Sequence, residues 1–152
     1  MSNKAPLSIP HGAGVLIADG RKALILRNTG SPMAPKFETI QAIESSETRE
    51  THEIGTDRPG RVHESSTTRR SAMEQTDFHT QAEQRFAGLV AEAVQVQHGQ
   101  GAFATLVLVA APRTLAVLRN ELSNAVQAAV VGELAKDLTN HPLPEIEKLL
   151  AA

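Results

Sequence analysis

Cysteine, tryptophan and tyrosine are absent, and four phenylalanines make up all of the 3% aromatic content. Without cysteine there is no disulfide, no thiolate metal site and no cysteine nucleophile, which fits a reducing compartment. So few rings remove the stacking platform on which single-stranded nucleic-acid binders depend, and leave the core to aliphatic side chains. A surplus of one charge is also missing. The 15 Lys and Arg nearly balance the 17 Asp and Glu, for a net charge of -2, so only a local basic patch could attract a polyanion. No apolar run is long enough to span a bilayer, and the opening MSNKAPLSIPHGAG lacks the apolar stretch of a signal peptide. The expectation is a cytoplasmic protein without membrane insertion. At 152 residues the chain is long enough for one domain with a sizeable core.

The most informative stretch runs from Ala102 to Leu122, AFATLVLVAAPRTLAVLRNEL. Leu106, Val107, Leu108 and Val109 are apolar without alternation, as in a strand covered on both faces of a parallel sheet. Pro112 then suits the first position of a helix, where its missing N–H costs nothing. Leu115, Leu118 and Leu122 recur at helical spacing, with Arg119, Asn120 and Glu121 facing away. A buried strand feeding a crossover helix is the core unit of an α/β domain.

Ahead of that unit, residues 1–12 read as a flexible lead-in. Val15 to Ala18 and Ala23 to Leu26 read as strands joined by the turn Asp19-Gly20-Arg21-Lys22, with Gly20 supplying the positive φ that tight hairpins require. After a Gly30-Ser31-Pro32 turn, Phe37 to Ile43 reads as a third strand. Residues 44–76 are rich in Ser, Thr, Glu and Arg and read as one long loop, a length usually kept for function. A long helix is expected from about Asp77 to Thr80, with Thr80 and Glu83 at capping-box spacing. Its apolar face is Phe86, Leu89, Val90, Ala93 and Val94, and Gln97 to Gly101 end it. Val126 to Val131 reads as a strand. Leu138 to Ala152 reads as a terminal helix with Leu143, Ile146, Leu149 and Leu150 inward. The order predicts a ribonuclease-H-like mixed sheet of about five strands. An antiparallel three-strand meander would be joined by two parallel strands, with helices on both faces and right-handed crossovers.

Three segments also carry a family resemblance. VLIADGRKALIL, Asp57-Arg58-Pro59-Gly60-Arg61 and LVLVAAPRTLAVLR resemble motifs of the bacterial host-attachment protein family, in that family's order. The stretch Glu133 to Thr139 is similar to the family's ending. Two departures stand out: the hairpin lacks the family's usual Trp, near Gly14, and Ala116 stands where Gly is common. That family in turn resembles the middle domain of archaeal and eukaryotic peptide-chain release factors. The resemblance implies a domain spanning residues 13–152, and a loop placed where release factors carry a Gly-Gly-Gln tripeptide for peptidyl-tRNA hydrolysis. This loop has no such tripeptide, since Gln75 follows Glu74, and Gly99-Gln100-Gly101 lies beyond the long helix. Release-factor catalysis is therefore not carried over.

Among candidate sites the loop comes first. Arg58, Arg61, Arg69 and Arg70 are bidentate phosphate donors in waiting, and Pro59-Gly60 gives the backbone a defined turn. The plainer alternative is a solvated loop whose arginines offset Glu47, Glu50, Glu53 and Glu64. Second comes Arg113-Thr114, where a parallel strand ends and a helix begins, the place where open α/β sheets bind anions; its plainer alternative is that Pro112 starts the helix and Thr114 caps it. A metal nuclease would need converging carboxylates, and only Asp19 and Asp137 are positioned near strand ends. The six histidines are not at ligand spacing, and Ser65-Ser66 has no nucleophile elbow. No metal or cofactor is expected. The reading is a non-catalytic binding module that engages the ribosome or structured RNA. The alternatives are attachment through a protein partner, or an ester hydrolase on peptidyl-tRNA-like substrates. Nothing in the sequence indicates an oligomeric state.

Overall fold

The computed structural model describes residues 8–45 and 68–151, with the backbone alone for 68–79. Five strands and four helices follow in order among the described residues: β1 (Gly14–Ala18), β2 (Lys22–Asn28), β3 (Phe37–Glu44), α1 (Thr68–Gly99), β4 (Leu106–Val109), α2 (Pro112–Glu121), α3 (Asn124–Ala129), β5 (Val130–Leu134) and α4 (Leu143–Leu149). The sheet order is β3-β2-β1-β4-β5. β1–β2 and β2–β3 are antiparallel, whereas β1–β4 and β4–β5 are parallel. This is the mixed five-strand α/β sheet that the element order predicts.

Alternation of side chains along each strand divides the core in two. Leu16, Ile25, Leu106 and Leu108 point to one face and pack under Phe86, Val90 and Val94 of α1 and Leu115 and Leu118 of α2. Val15, Ile17, Leu26, Val107 and Val109 point to the other, against Ile9, Phe37, Leu138, Ile146 and Leu150. The unbroken LVLV run of β4 is thus shared between two cores, and all four side chains are buried.

Several expectations are corrected. The long helix begins at Thr68, not at Asp77 to Thr80, so the segment ahead of it ends earlier than residue 76. Thr80 and Glu83 are therefore inside a helix and form no capping box. The stretch TRRSAMEQ is made mostly of good helix formers, and propensity of that kind leaves no hydrophobic period to mark the helix start. Leu89 is 56% exposed, while Ala82, Phe86, Ala87, Val90, Ala91 and Val94 are buried. The inward stripe is rotated toward α2, and Leu89 falls outside it.

The strand expected at Val126 to Val131 starts only at Val130. Ser123 caps α3, its hydroxyl accepting the N–H of Val126, so this valine enters the core from a helix. The terminal helix is confined to Leu143–Leu149. Pro142 and Pro144 lack N–H groups, and a residue before proline is steered away from the helical region. Ile146 and Leu150 are buried one turn apart and Leu149 is exposed.

Gly20 does not have a positive φ either. The hairpin is held by the Asp19 carboxylate, whose Oδ1 accepts the N–H groups of Arg21 and Lys22 at 2.7 Å each. A Cβ at position 20 would lie 3.0 Å from the Glu83 side chain, so a larger residue there has to displace that carboxylate by a few tenths of an ångström. The lead-in is tied down from Ile9, which is fully buried and whose carbonyl accepts from the buried Asn28 amide at 2.8 Å. The Asn28 Oδ1 accepts from Gly30 and Lys36, so one side chain fastens the lead-in to the turn after β2.

Gly14 opens β1 directly beneath the Phe103 ring, and a Cβ there would come within 2.6 Å of it. A Gly14→Ala variant should lose about 1–3 kcal/mol through overpacking. Gly14→Ala combined with Phe103→Leu should lose less than the sum of the two single changes. Denaturant midpoints at unchanged slope read both effects.

Candidate functional site

The parallel pair β1 and β4 ends at Ala18 and Val109, and the chain leaves both strands at the same edge of the sheet. From β1 it enters the Asp19 turn, and from β4 it enters α2 through Ala110, Ala111 and Pro112. The α2 N-cap is Ala111, with no side-chain capping bond, so Thr114 is not the cap. The first N–H groups of α2, with their share of the helix dipole, are left to whatever approaches this edge.

What approaches is Glu83 of α1. Its Oε1 lies 3.5 Å from Arg113 Nη2, with both side chains substantially exposed. Asp19, Gly20, Glu83, Phe86, Arg113 and Thr114 line the crevice between them. Its volume is about 20 Å³, enough for one water molecule. An anion larger than water can enter only if the Glu83 carboxylate, already opposite Arg113, moves aside. The sequence reading singled out Arg113 and Thr114 but not Glu83. The signal for it was present: Phe86 and Val90 fix the inward stripe of α1, and Glu83 lies one turn ahead of Phe86.

The two carboxylates near strand ends are brought together by a third residue. Thr139 Oγ1 lies 2.8 Å from Asp19 Oδ2 and 2.7 Å from Asp137 Oδ1. A hydroxyl has one proton, so it donates to one oxygen or is shared between both. The Thr139 N–H adds a bond to Asp137 Oδ1 at 3.1 Å. With its other oxygen spent on the hairpin turn, Asp19 is a structural tie between that turn and the segment after β5. Among the described residues, no group of three or more His, Asp or Glu side chains is placed to hold a metal ion.

The loop candidates divide. Arg58, Pro59, Gly60 and Arg61 lie outside the described residues. Arg69 and Arg70 belong to the first turn of α1 and not to a loop. At 1.5 Å rise per residue, the backbone of α1 from Thr68 to Glu83 covers about 22 Å. At the other end, the Gly99-Gln100-Gly101 turn is a helix stop: Gly101 has φ +83°, its N–H reaches the His98 carbonyl, and Ala102 N–H reaches that of Gln97.

Comparison with known families fits this architecture. Residues 12–150 match the family model for the bacterial archaeo-eukaryotic release factor family 12. The chain belongs to that family. No curated protein matches it. The matched span takes in every described strand and helix of this release-factor-family chain, from the turn before β1 to the end of α4. No helix among the described residues is long and apolar enough to cross a membrane.

In the last turn of α2, Arg119 makes a bidentate pair with Glu133 of β5, at 2.6 to 3.2 Å. The guanidinium hydrogen bonds hold the Glu133 carboxyl below the usual carboxylate range. A carboxyl lowered in the folded state stabilises it above the unfolded pKa, and that contribution is lost as pH falls through the folded value. The gap in denaturation midpoint between wild type and Glu133→Gln should therefore be present at pH 7 and close on acidification below about pH 4. Replacing Thr139 by Val should cost about 1–3 kcal/mol, because the one hydroxyl proton that ties Asp19 to Asp137 is lost while Asp137 keeps only the Thr139 N–H. Thermal or denaturant unfolding measures that loss.

Proposed function

We propose that the protein is a release-factor-like module that engages structured RNA, the ribosome included, through Arg58, Arg61, Arg69, Arg70 and Arg113. Arg69 and Arg70 open α1, Arg58 and Arg61 precede it in the chain around Pro59-Gly60, and Arg113 and Thr114 start α2. The observation that carries this reading is the length of α1. Glu83 faces Arg113 where β4 gives way to α2, and the backbone of α1 extends from that pair to Thr68, about 22 Å along the helix axis. Family membership supports it, because release factors act in translation. Guanidinium groups suit the task, since each can grip a phosphate with two parallel hydrogen bonds. With a net charge of -2, binding rests on these arginines and not on the charge of the protein as a whole.

The role is binding rather than hydrolysis, because the chain has no Gly-Gly-Gln and its Gly99-Gln100-Gly101 serves to stop α1. Co-sedimentation with ribosomes at low and moderate salt tests the proposal. Pelleting should weaken as salt rises. It should be lost in the Arg58→Glu, Arg61→Glu double variant and reduced in Arg113→Glu, each lost phosphate contact lowering the salt slope by about 1. No pelleting at either salt would overturn the proposal and favour the protein partner that the host-attachment resemblance implies.

A further inference from the structure

The opposite edge of the sheet, where β1 and β4 begin, holds a concavity of about 410 Å³. That is within the size range of small-ligand sites, about 300–1,000 Å³. Three walls frame it: His11–Gly12 ahead of β1, Arg27–Thr29 at the end of β2, and Gly101–Ala104 ahead of β4. Gly12 and Gly101 have φ of +85° and +83°, and no atom lies within 4 Å of a Cβ built on either. Both glycines serve the backbone and leave open space where a side chain would stand.

The donors at this site are partly uncommitted. Arg27 Nη2 donates to Glu38 at 2.9 Å, and Nη1 reaches the Ala102 carbonyl at a long 3.4 Å. A guanidinium carries five N–H groups, so three remain without a hydrogen bond among the described residues. The N–H groups of Phe103 and Ala104 likewise make none there. His11 Nδ1 lies 2.8 Å from the Gly30 carbonyl. A carbonyl only accepts, so Nδ1 carries the proton and the neutral ring has Nε2 as an acceptor. The walls are held without a ligand: Gly12 N–H donates to the Asn28 carbonyl at 2.7 Å, and Asn28 N–H donates to that of Ala13 at 2.9 Å. The C-terminus of α1 would repel an anion, but the turn at Gly101 and Ala102 already engages the His98 and Gln97 carbonyls.

We infer that this concavity binds a phosphate monoester of mononucleotide size. Arg27 and the Phe103 and Ala104 amides take the phosphate oxygens, and His11 Nε2 accepts from the P–O–H group. A monoester retains that proton in part near neutral pH, whereas a diester has none, so the imidazole acceptor selects the monoester. The site lies at the sheet edge away from Arg113 and does not depend on the RNA reading.

The test is amide and imidazole chemical-shift titration of the full chain at pH 6.5, with inorganic phosphate, a nucleoside monophosphate and dimethyl phosphate, at constant ionic strength. Inorganic phosphate and the monophosphate should produce saturable shifts at Gly12, Phe103 and Ala104, with dimethyl phosphate at least tenfold weaker. Arg27→Gln should weaken the monophosphate tenfold or more, and His11→Ala should erase the preference over the diester. Glu38→Gln, which releases Arg27, should tighten binding; this opposite sign separates recognition from a folding defect. Shifts reproduced by sodium chloride, failing to saturate, or unchanged in Arg27→Gln would overturn the inference.

Discussion

Enclosure of β1 on every side is the constraint on which the rest of the structure depends. All five of its residues are buried, with β2 and β4 on its edges and a core on each face. A strand so placed must be apolar throughout, must meet its neighbours without bulk at its entry, and must turn within the chain at its exit. Gly14 under the Phe103 ring meets the second demand. The Asp19 carboxylate, accepting two backbone N–H groups, meets the third. Because β4 pairs parallel to β1, the loops leaving both strands gather at one edge and those entering them at the other. The polar regions at these two edges are therefore a consequence of topology.

At the exit edge the charged side chains are largely committed to one another. Glu83 stands opposite Arg113, and Thr139 joins Asp19 to Asp137. Such ties fasten helix to helix and turn to tail, and the exposed pair contributes little to stability by itself. At the entry edge the walls are set by main-chain bonds around Asn28, and Arg27 keeps most of its donors. A rigid frame with uncommitted donors is what a ligand site requires.

Much of the fold was legible because its signals are local. The Asp19 turn, the LVLV strand and Pro112 at the head of α2 each depend on a few neighbouring residues. The family match agrees with the release-factor part of the resemblance read from four short segments. What misled the reading were segments in which composition and conformation part company. The polar start of α1 is helical because its residues favour helix, although the hydrophobic period of the sequence is clear only from Phe86 onward. Val126 looked like strand, yet a single capping bond from Ser123 turns it into helix. Of the candidate site residues, Arg113 and Thr114 stand at the strand-to-helix junction as read, whereas Arg69 and Arg70 moved from loop to helix.

The sequence alone determined the mixed sheet, since hydrophobic periodicity and turn chemistry act within a few residues and need no distant partner. Only the tertiary structure decided which polar groups meet. Glu83 and Arg113 are separated by α1 and β4 in sequence, Asp19 and Thr139 by nearly the whole chain, and Arg27 and Ala102 by much of it. Their encounters depend on the order in which strands enter the sheet and on how far each helix is rotated over it. Those quantities are fixed by the packing of the two cores, which no local pattern encodes.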